Sequence, residues 1–269
     1  MIEFQSVAKT YSDGTVAVSD FSLRVPSGHI VVLVGSSGSG KTTLLRMVNR
    51  MVEPTSGRVL IDGQDVHDRN AVELRRSIGY VLQDGGLLPH RRVTDNVAVV
   101  PVLQGTPRRE ARQKALHLLD LVGLEPSLGD RYPAQLSGGQ QQRVGVARAL
   151  AADPAILLMD EPFGAVDPIV RRELQDQLLE LQSRLGKTIL FVTHDVDEAF
   201  RLADVVVVLR GHGSIAQLGP PASILAAPAD EFVSDFIGAG DPRRQLTVKQ
   251  IGDRTIALDA AGRPVGVIR

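Results

Sequence analysis

The sequence predicts an α/β fold with a largely parallel sheet, an antiparallel β-layer ahead of it and a helical insertion within it. Three observations carry this expectation. Short continuous apolar runs at Ile30 to Val34, Ile78 to Leu82, Ile156 to Met159, Thr188 to Val192 and Val205 to Leu209 read as buried strands. Helix-compatible stretches alternate with them, as in a sheet covered on both faces. Between Gly85 and Leu150, strand signals nearly vanish.

Taken in order, the chain opens with apolar and polar residues alternating around Phe4, Val7, Val16, Val18, Phe21, Leu23 and Val25, with turn signals at Asp13-Gly14 and Pro26-Ser27-Gly28. This is the antiparallel layer. The strand Ile30 to Val34 runs into a Gly/Ser loop and a helical pattern from about Gly40 to Asn49. In the strand-poor region, helices are expected at Pro107 to Val122 and Gly138 to Ala152, and a further helix at Pro168 to Leu185 separates two of the apolar strands. Beyond Gly238 the pattern changes: Asp241-Pro242-Arg243-Arg244 precedes short alternating segments at Leu246 to Val248, Thr255 to Leu258 and Val265 to Ile268. A β-rich tail of this size is too small to bury its own core, so it is expected to pack on the main domain or a partner. The resulting division is a main domain over residues 1–237, with its core at 1–84 and 153–237 and a helical subdomain at about 85–152, followed by a tail at 238–269.

Length, at 269 residues, fits one domain with an inserted subdomain or a small appendage. A formal net charge of −1 and a pI near 6.6 give no global attraction to nucleic acid or anionic lipid, and no nucleic-acid partner is expected. The absence of cysteine excludes disulfides and thiolate chemistry and fits a reducing compartment. The opening Met1-Ile2-Glu3-Phe4 lacks a secretory signal, and no apolar run approaches the roughly 18 residues needed to span a bilayer. Service to a membrane is therefore expected from the cytoplasmic side, through partners.

Gly35-Ser36-Ser37-Gly38-Ser39-Gly40-Lys41-Thr42 follows an apolar strand and opens a helix, the context a phosphate-binding loop requires. Its glycines let the backbone wrap phosphates, and the helix N-terminus adds amide donors and a favourable dipole. Lys41 is placed to reach the β- and γ-phosphates and Thr42 to ligate Mg²⁺. A random chain of this length carries the bare pattern with a probability of roughly 1 in 100, so the flanking strand and helix decide against a mere Gly/Ser turn. Asp160 and Glu161 end the strand Ile156 to Met159. Adjacent strand residues point in different directions, so Asp160 suits the Mg²⁺ shell while Glu161 polarises an attacking water. By itself such a pair is more often a turn or helix cap. His194 ends the next strand, on the same sheet edge, where it can contact the γ-phosphate and hold Glu161 and the water in line. Gln83 follows the strand from Ile78 and offers an amide oxygen to Mg²⁺ or water; a plain loop glutamine is the alternative.

Leu136-Ser137-Gly138-Gly139-Gln140-Gln141-Gln142-Arg143 resembles the signature sequence of ABC-type ATPases, and the remaining family motifs follow in order. The resemblance covers about residues 1 to 237. It implies a P-loop NTPase (RecA-like) core carrying an antiparallel β-subdomain and a helical insertion. ATP would be held by Tyr11 stacking on adenine with Val16 beside it, and by Gly35, Ser36, Ser37, Gly38, Ser39, Gly40, Lys41, Thr42 and Thr43. Catalysis would rest on Glu161, His194, Lys41 and Gln83, with Mg²⁺ on Thr42, Gln83 and Asp160. Ser137, Gly138, Gly139 and Gln140 would serve the ATP of a second subunit, two copies closing head to tail, and Asp167 would couple the two sites. The segment Gly164-Ala165-Val166-Asp167 has valine where the family commonly has leucine.

A finer resemblance lies outside these motifs. Val52-Glu53-Pro54-Thr55-Ser56-Gly57, Leu87-Leu88-Pro89-His90, Asp95-Asn96-Val97 and Arg131-Tyr132-Pro133 are similar to the ATPase subunits of importers for glycine betaine, choline or carnitine. This implies transmembrane permease subunits and an extracytoplasmic substrate-binding protein as partners, and a peripheral location on the cytoplasmic face of the inner membrane. Residues Gln83 to about Leu103, including Leu87, Leu88, Val93, Val97, Val99 and Val100, would form the groove for a permease helix, unless they are core. Another small solute (an amino acid, polyamine or sulfonate) is the alternative cargo, and a soluble non-transport ABC ATPase the alternative class. The tail resembles the start of a cystathionine-β-synthase-type module, so regulation by a full module is not expected.

Overall fold

The computed structural model describes residues 1–83, 85–164, 166–240 and 246–268. Asp84, Ala165 and the Asp241-Pro242-Arg243-Arg244 junction lie outside them. The first half holds β1 (Ile2–Thr10), β2 (Val16–Val25), β3 (Ile30–Gly35), α1 (Lys41–Val48), β4 (Ser56–Ile61), β5 (Gln64–Asp65), α2 (Ala71–Ser77) and β6 (Ile78–Val81). There follow α3 (Val93–Val97), α4 (Val99–Leu103), α5 (Arg108–Leu121) and α6 (Gly138–Leu150). The chain then returns through β7 (Ile156–Asp160), α7 (Pro168–Leu185), β8 (Thr188–Thr193), α8 (Val196–Leu202), β9 (Val205–Leu209), β10 (Ile215–Gly219), α9 (Pro221–Ala226) and α10 (Glu231–Ile237). It closes with β11 (Thr247–Ile251), β12 (Arg254–Leu258) and β13 (Pro264–Ile268).

Among the described residues these strands form three sheets. The central one has the order β10-β9-β3-β8-β7-β6 and is parallel except at β10, which runs back along β9. The order β2-β1-β4-β5 makes the antiparallel layer, and β11-β12-β13 a separate small sheet. The β4–β5 hairpin, β10 and the short helices α2 to α4 and α8 to α10 were not apparent from pattern alone.

Successive side chains of a strand point to opposite faces, and the central sheet uses this fully. Val31 and Leu33 of β3 join Leu158 and Leu190 in a core with Phe4, Phe21 and Leu44. Val32 and Val34, with Met159 and Phe191, join the opposite core, which continues into Leu119, Val144 and Leu178 of α5, α6 and α7. Each such side chain, fully buried, stabilises the fold by about 1.5–3 kcal/mol relative to exposure. Phe4 and Phe21 meet edge to face, with ring centroids 5.2 Å apart.

The helix ends are specified locally. Asp167 caps α7 by accepting the Ile169 amide at 2.9 Å, Pro168 occupies the first turn, and Gly186 closes the helix at a φ of 60°. In the terminal sheet Val248, Ile251, Val265 and Val267 are 62%, 55%, 60% and 51% exposed, so the rest of the chain does not cover them. Of the two expectations for the tail, packing on the main domain or on a partner, these four apolar side chains do not meet the first, and their exposure leaves the second for them.

Candidate active site

The carboxyl ends of β3, β7 and β8 lie side by side. Val34 of β3 is level with Thr193 of β8, and Asp160 of β7 with Val192. This register brings the Gly35–Thr42 loop, the Asp160–Glu161 pair and His194 to one sheet edge, as the sequence predicts.

The loop depends on absent Cβ atoms. One added to Gly35 would stand 2.6 Å from the Leu209 carbonyl oxygen; one added to Gly40, at a φ of 90°, would stand 2.6 Å from that of Ala17. Ser36, Ser37 and Gly38 are exposed, whereas Ser39 is buried and its carbonyl accepts the Gly213 amide at 2.9 Å. Lys41 is buried inside the curve and donates to the carbonyls of Gly35 at 2.7 Å and Ser36 at 2.8 Å, and to Ser39 Oγ at 3.2 Å. Burial lowers its pKa, and the nearby Glu161 and Asp160 carboxylates counter that. At the rim, Tyr11 and Val16 are exposed neighbours across the β1–β2 turn. The Tyr11 hydroxyl lies 3.4 Å from Thr43 Oγ1, and Lys9 Nζ lies 5.2 Å from its ring centroid.

Asp160 is held from three sides. Thr42 Oγ1 donates to Oδ1 at 2.8 Å, the Tyr80 hydroxyl to Oδ2 at 3.2 Å, and Arg46 Nη2 lies 3.6 Å from Oδ2. Arg46 Nε also donates to the Tyr80 oxygen at 3.4 Å. Burial raises the Tyr80 pKa, which keeps the phenol a donor. Sequence reasoning missed both residues. Arg46 was detectable, four residues after Thr42 on the same helix face, but Tyr80 required the β6–β7 adjacency.

Glu161 follows with a φ of 45°, a left-handed conformation costing about 1–2 kcal/mol for a residue with a side chain. Its amide is fixed to the Val192 carbonyl at 2.9 Å, and its Oε2 lies 2.9 Å from His194 Nδ1. A carboxylate only accepts, so Nδ1–H is the donor. The Gln83 side chain lies close to Gly164, since a Cβ there would be 3.6 Å from Gln83 Nε2; this places the glutamine beside the Glu161 turn.

Ser137 caps α6: its Oγ accepts the Gln140 amide at 3.3 Å, while Gln140 Oε1 accepts the Ser137 amide at 3.0 Å. The Gln140 side chain is thus engaged as half of a capping box. Gly139 faces α7, where a Cβ would stand 2.6 Å from Val170 Cγ1. Asp167 is exposed. Between α3 and α5 a groove of about 600 Å³ is lined by Val99, Val102 and Leu103 with Arg91, Arg108 and Arg112. Val93 and Val97, expected in that groove, are instead fully buried core residues.

The ABC transporter family model matches residues 18–164. The chain belongs to the ABC transporter family. It is 51% identical over 238 residues to the choline transport ATP-binding protein OpuBA of Bacillus subtilis (strain 168), covering 88% of this chain and 62% of that one. It is 48% identical over 257 residues to the glycine betaine uptake system ATP-binding protein YehX of Escherichia coli (strain K12), covering 96% and 82%. The chain thus spans about six-tenths of the length of relatives such as OpuBA. The dimeric structure of a post-hydrolysis state of the ATP-binding cassette MJ0796, bound to ADP and Pi, superposes with a TM-score of 0.74 at 34% identity over 82% of this chain and 99% of that one. The cassette is accordingly a P-loop NTPase core with an antiparallel β-subdomain and a helical insertion.

Proposed function

We propose that this cassette is the ATP-hydrolysing subunit of an importer for a quaternary-ammonium osmoprotectant such as glycine betaine, choline or carnitine. The observation that carries the enzymatic part is the convergence of the Lys41 loop, Asp160 and the Glu161–His194 pair on one sheet edge. The names of the relatives carry the cargo. Two copies would close around two ATP molecules, the Gly35–Thr43 loop of each facing Ser137, Gly138 and Gly139 of the other, with Asp167 at the junction. We assign the cassette to residues 1–237, its helical subdomain to about 85–152, and a tail to 238–269. Among the described residues no helix is long and apolar enough to cross a membrane. Separate permease subunits would hold the cassette at the cytoplasmic face and receive substrate from an extracytoplasmic binding protein. The arginine-rimmed groove beside α4 is the candidate permease contact.

The donor set suits Mg²⁺. Among the described residues no cluster of three His, Cys, Asp or Glu side chains could hold a metal. The Thr42 hydroxyl and Asp160 carboxylate offer the pair of hard oxygens that Mg²⁺ shares with substrate phosphates, with Gln83 nearby. Bound there, the ion would supply positive charge against the negative charge developing on the transferring phosphoryl group. Lys41 and the amides of the α1 N-terminus hold the same phosphates. Glu161, steered by His194, polarises a water and takes its proton as the water oxygen bonds to the γ-phosphorus and the β–γ bridging oxygen leaves with ADP. Positioning and charge stabilisation carry most of the rate.

The test is uptake of labelled glycine betaine and choline under salt stress, in source cells whose chromosomal copy carries Glu161→Gln. Loss of uptake, restored by the wild-type gene, supports cargo and catalytic assignment together. Unchanged uptake in cells lacking other carriers for these solutes would redirect the cargo to another small solute.

A further inference from the structure

Three side-chain hydrogen bonds join the segment around Gln83 to the helix that Ser137 caps. Gln142 Nε2 donates to the Leu82 carbonyl at 3.4 Å. Arg148 donates through Nη1 to the Gly86 carbonyl at 2.6 Å and through Nη2 to the Gly85 carbonyl at 2.7 Å. Gln142, Gly145 and Arg148 recur every three residues and so share one face of α6. The loop is seated directly on that face. A Cβ added to Gly145 would stand 3.4 Å from the Gly85 oxygen, and one added to Gly85 would stand 3.5 Å from the Gln141 oxygen. Gly85 itself has a φ of 66°, a conformation that favours glycine. Burial lowers the Arg148 pKa, but a guanidinium keeps its charge and its planar fork, which fits two successive carbonyls as a lysine ammonium does not.

The geometry gives these contacts a reach beyond local packing. Ser137 and Arg148 stand at opposite ends of α6, about 16 Å apart along its axis at the helical rise per residue. A helix of this length moves as a unit. Any rotation of α6 that shifts Ser137 carries the Leu82, Gly85 and Gly86 carbonyls with it or breaks three hydrogen bonds.

We propose that Arg148, assisted by Gln142, is a positioning residue that ties the Gln83 loop to the signature helix, so that Gln83 in one nucleotide site and Ser137 in the other are set together. This rests on the dimer reading above. In that dimer each cassette contributes Gln83 to its own ATP and Ser137 to its partner's, so the clamp links the two sites through a single chain. Loss of the clamp leaves nucleotide binding by the monomer intact and weakens nucleotide-dependent closure.

The experiment compares full-length variants in the Glu161→Gln background. Sedimentation measures the ATP concentration at which half the protein is dimeric, and a fluorescent ATP analogue reports monomer binding in dilute solution. Arg148→Met is expected to raise the dimerisation midpoint by roughly tenfold, within the usual range of coupling between linked sites, while monomer affinity stays within twofold. Arg148→Lys, which keeps the charge without the fork, should fall between Met and the parent. Adding Arg148→Met to Gln83→Ala should shift the midpoint no further than Gln83→Ala alone. An unchanged midpoint in Arg148→Met, or additive effects with Gln83→Ala, overturns the proposal. If Arg148→Met does not fold, Gln142→Leu enters the same cycle with Gln83→Ala, under the same criteria. A parent Glu161→Gln protein that never dimerises with ATP would instead remove the dimer reading itself.

Discussion

Glu161 and His194 are joined by a 2.9 Å contact between Oε2 and Nδ1, made while the Glu161 backbone sits at a φ of 45°. The pairing and the strained turn fix Oε2, and in the proposed mechanism the other oxygen, Oε1, is the one that would accept the proton of the attacking water. Glu161→Gln keeps the shape and removes the proton acceptor. Turnover is expected to fall by at least about 100-fold, the usual contribution of a general base, with an ATP-bound dimer accumulating on size exclusion. Wild-type turnover in this variant would assign the base elsewhere.

Tyr80→Phe tests the support behind Asp160. Losing the 3.2 Å hydrogen bond to Oδ2 removes about 1 kcal/mol of orientation, and the Mg²⁺ concentration for half-maximal turnover should rise about fivefold. Calorimetric titration of Mg²⁺ into the ATP-bound protein should show the same shift. If both readouts stay put, Arg46 and Thr42 suffice to hold the carboxylate.

The close approach of Gly139 to Val170 gives a steric prediction. Gly139→Ala places a methyl 2.6 Å from Val170 Cγ1 and is expected to cost about 1–3 kcal/mol in urea unfolding. Adding Val170→Ala should recover most of that loss. A neutral single variant would mean that the first turn of α7 yields.

Glu198 of α8 carries a pH signature. Burial is the main cause of its raised pKa, opposed by hydrogen bonds from Thr193 and Gln175; Asp195 raises it further and Arg171 lowers it. Below the ordinary carboxylate value of 4.5 both folded and unfolded chains hold the proton. As pH climbs from there through the folded pKa, the unfolded chain ionises first and stability is lost. The melting temperature of the wild type should therefore fall relative to Glu198→Gln across that window, the gap being largest at its upper end. A gap that does not change with pH would contradict the burial argument.

Leu103 is 55% exposed at the arginine-rimmed groove. Leu103→Glu is expected to reduce substrate uptake at least about tenfold while ATP turnover by the isolated cassette stays within twofold, a loss typical of a truncated central contact. An equal fall in both would make Leu103 structural.

The elements legible in the sequence were those with a long period or a strong terminal signal. Helix α7 runs from Pro168 to Leu185 as expected because Asp167, Pro168 and Gly186 mark its ends. The expected helix at Pro107 to Val122 differs from α5 by one residue at each end. Strand β10 and helices α3 and α4 escaped because five-residue segments carry too few repeats to show a period. At the site, residues within a local motif were readable. The Tyr80 contact was not, because it depends on which strand lies beside β7. The Arg148 clamp was hidden for a similar reason: about sixty residues of chain separate it from the loop it holds.

Because odd and even residues of β3 enter different cores, the central sheet acts as a partition. Val31 and Val32 are covalent neighbours, yet changes at the two should combine independently, whereas Val32 and Phe191, distant in sequence, should not. Such a wall lets the helical side, where the proposed permease groove lies, be repacked while the layer of β1, β2 and α1 keeps its shape. Sequence change in this chain can therefore accumulate on one side of the sheet at a time.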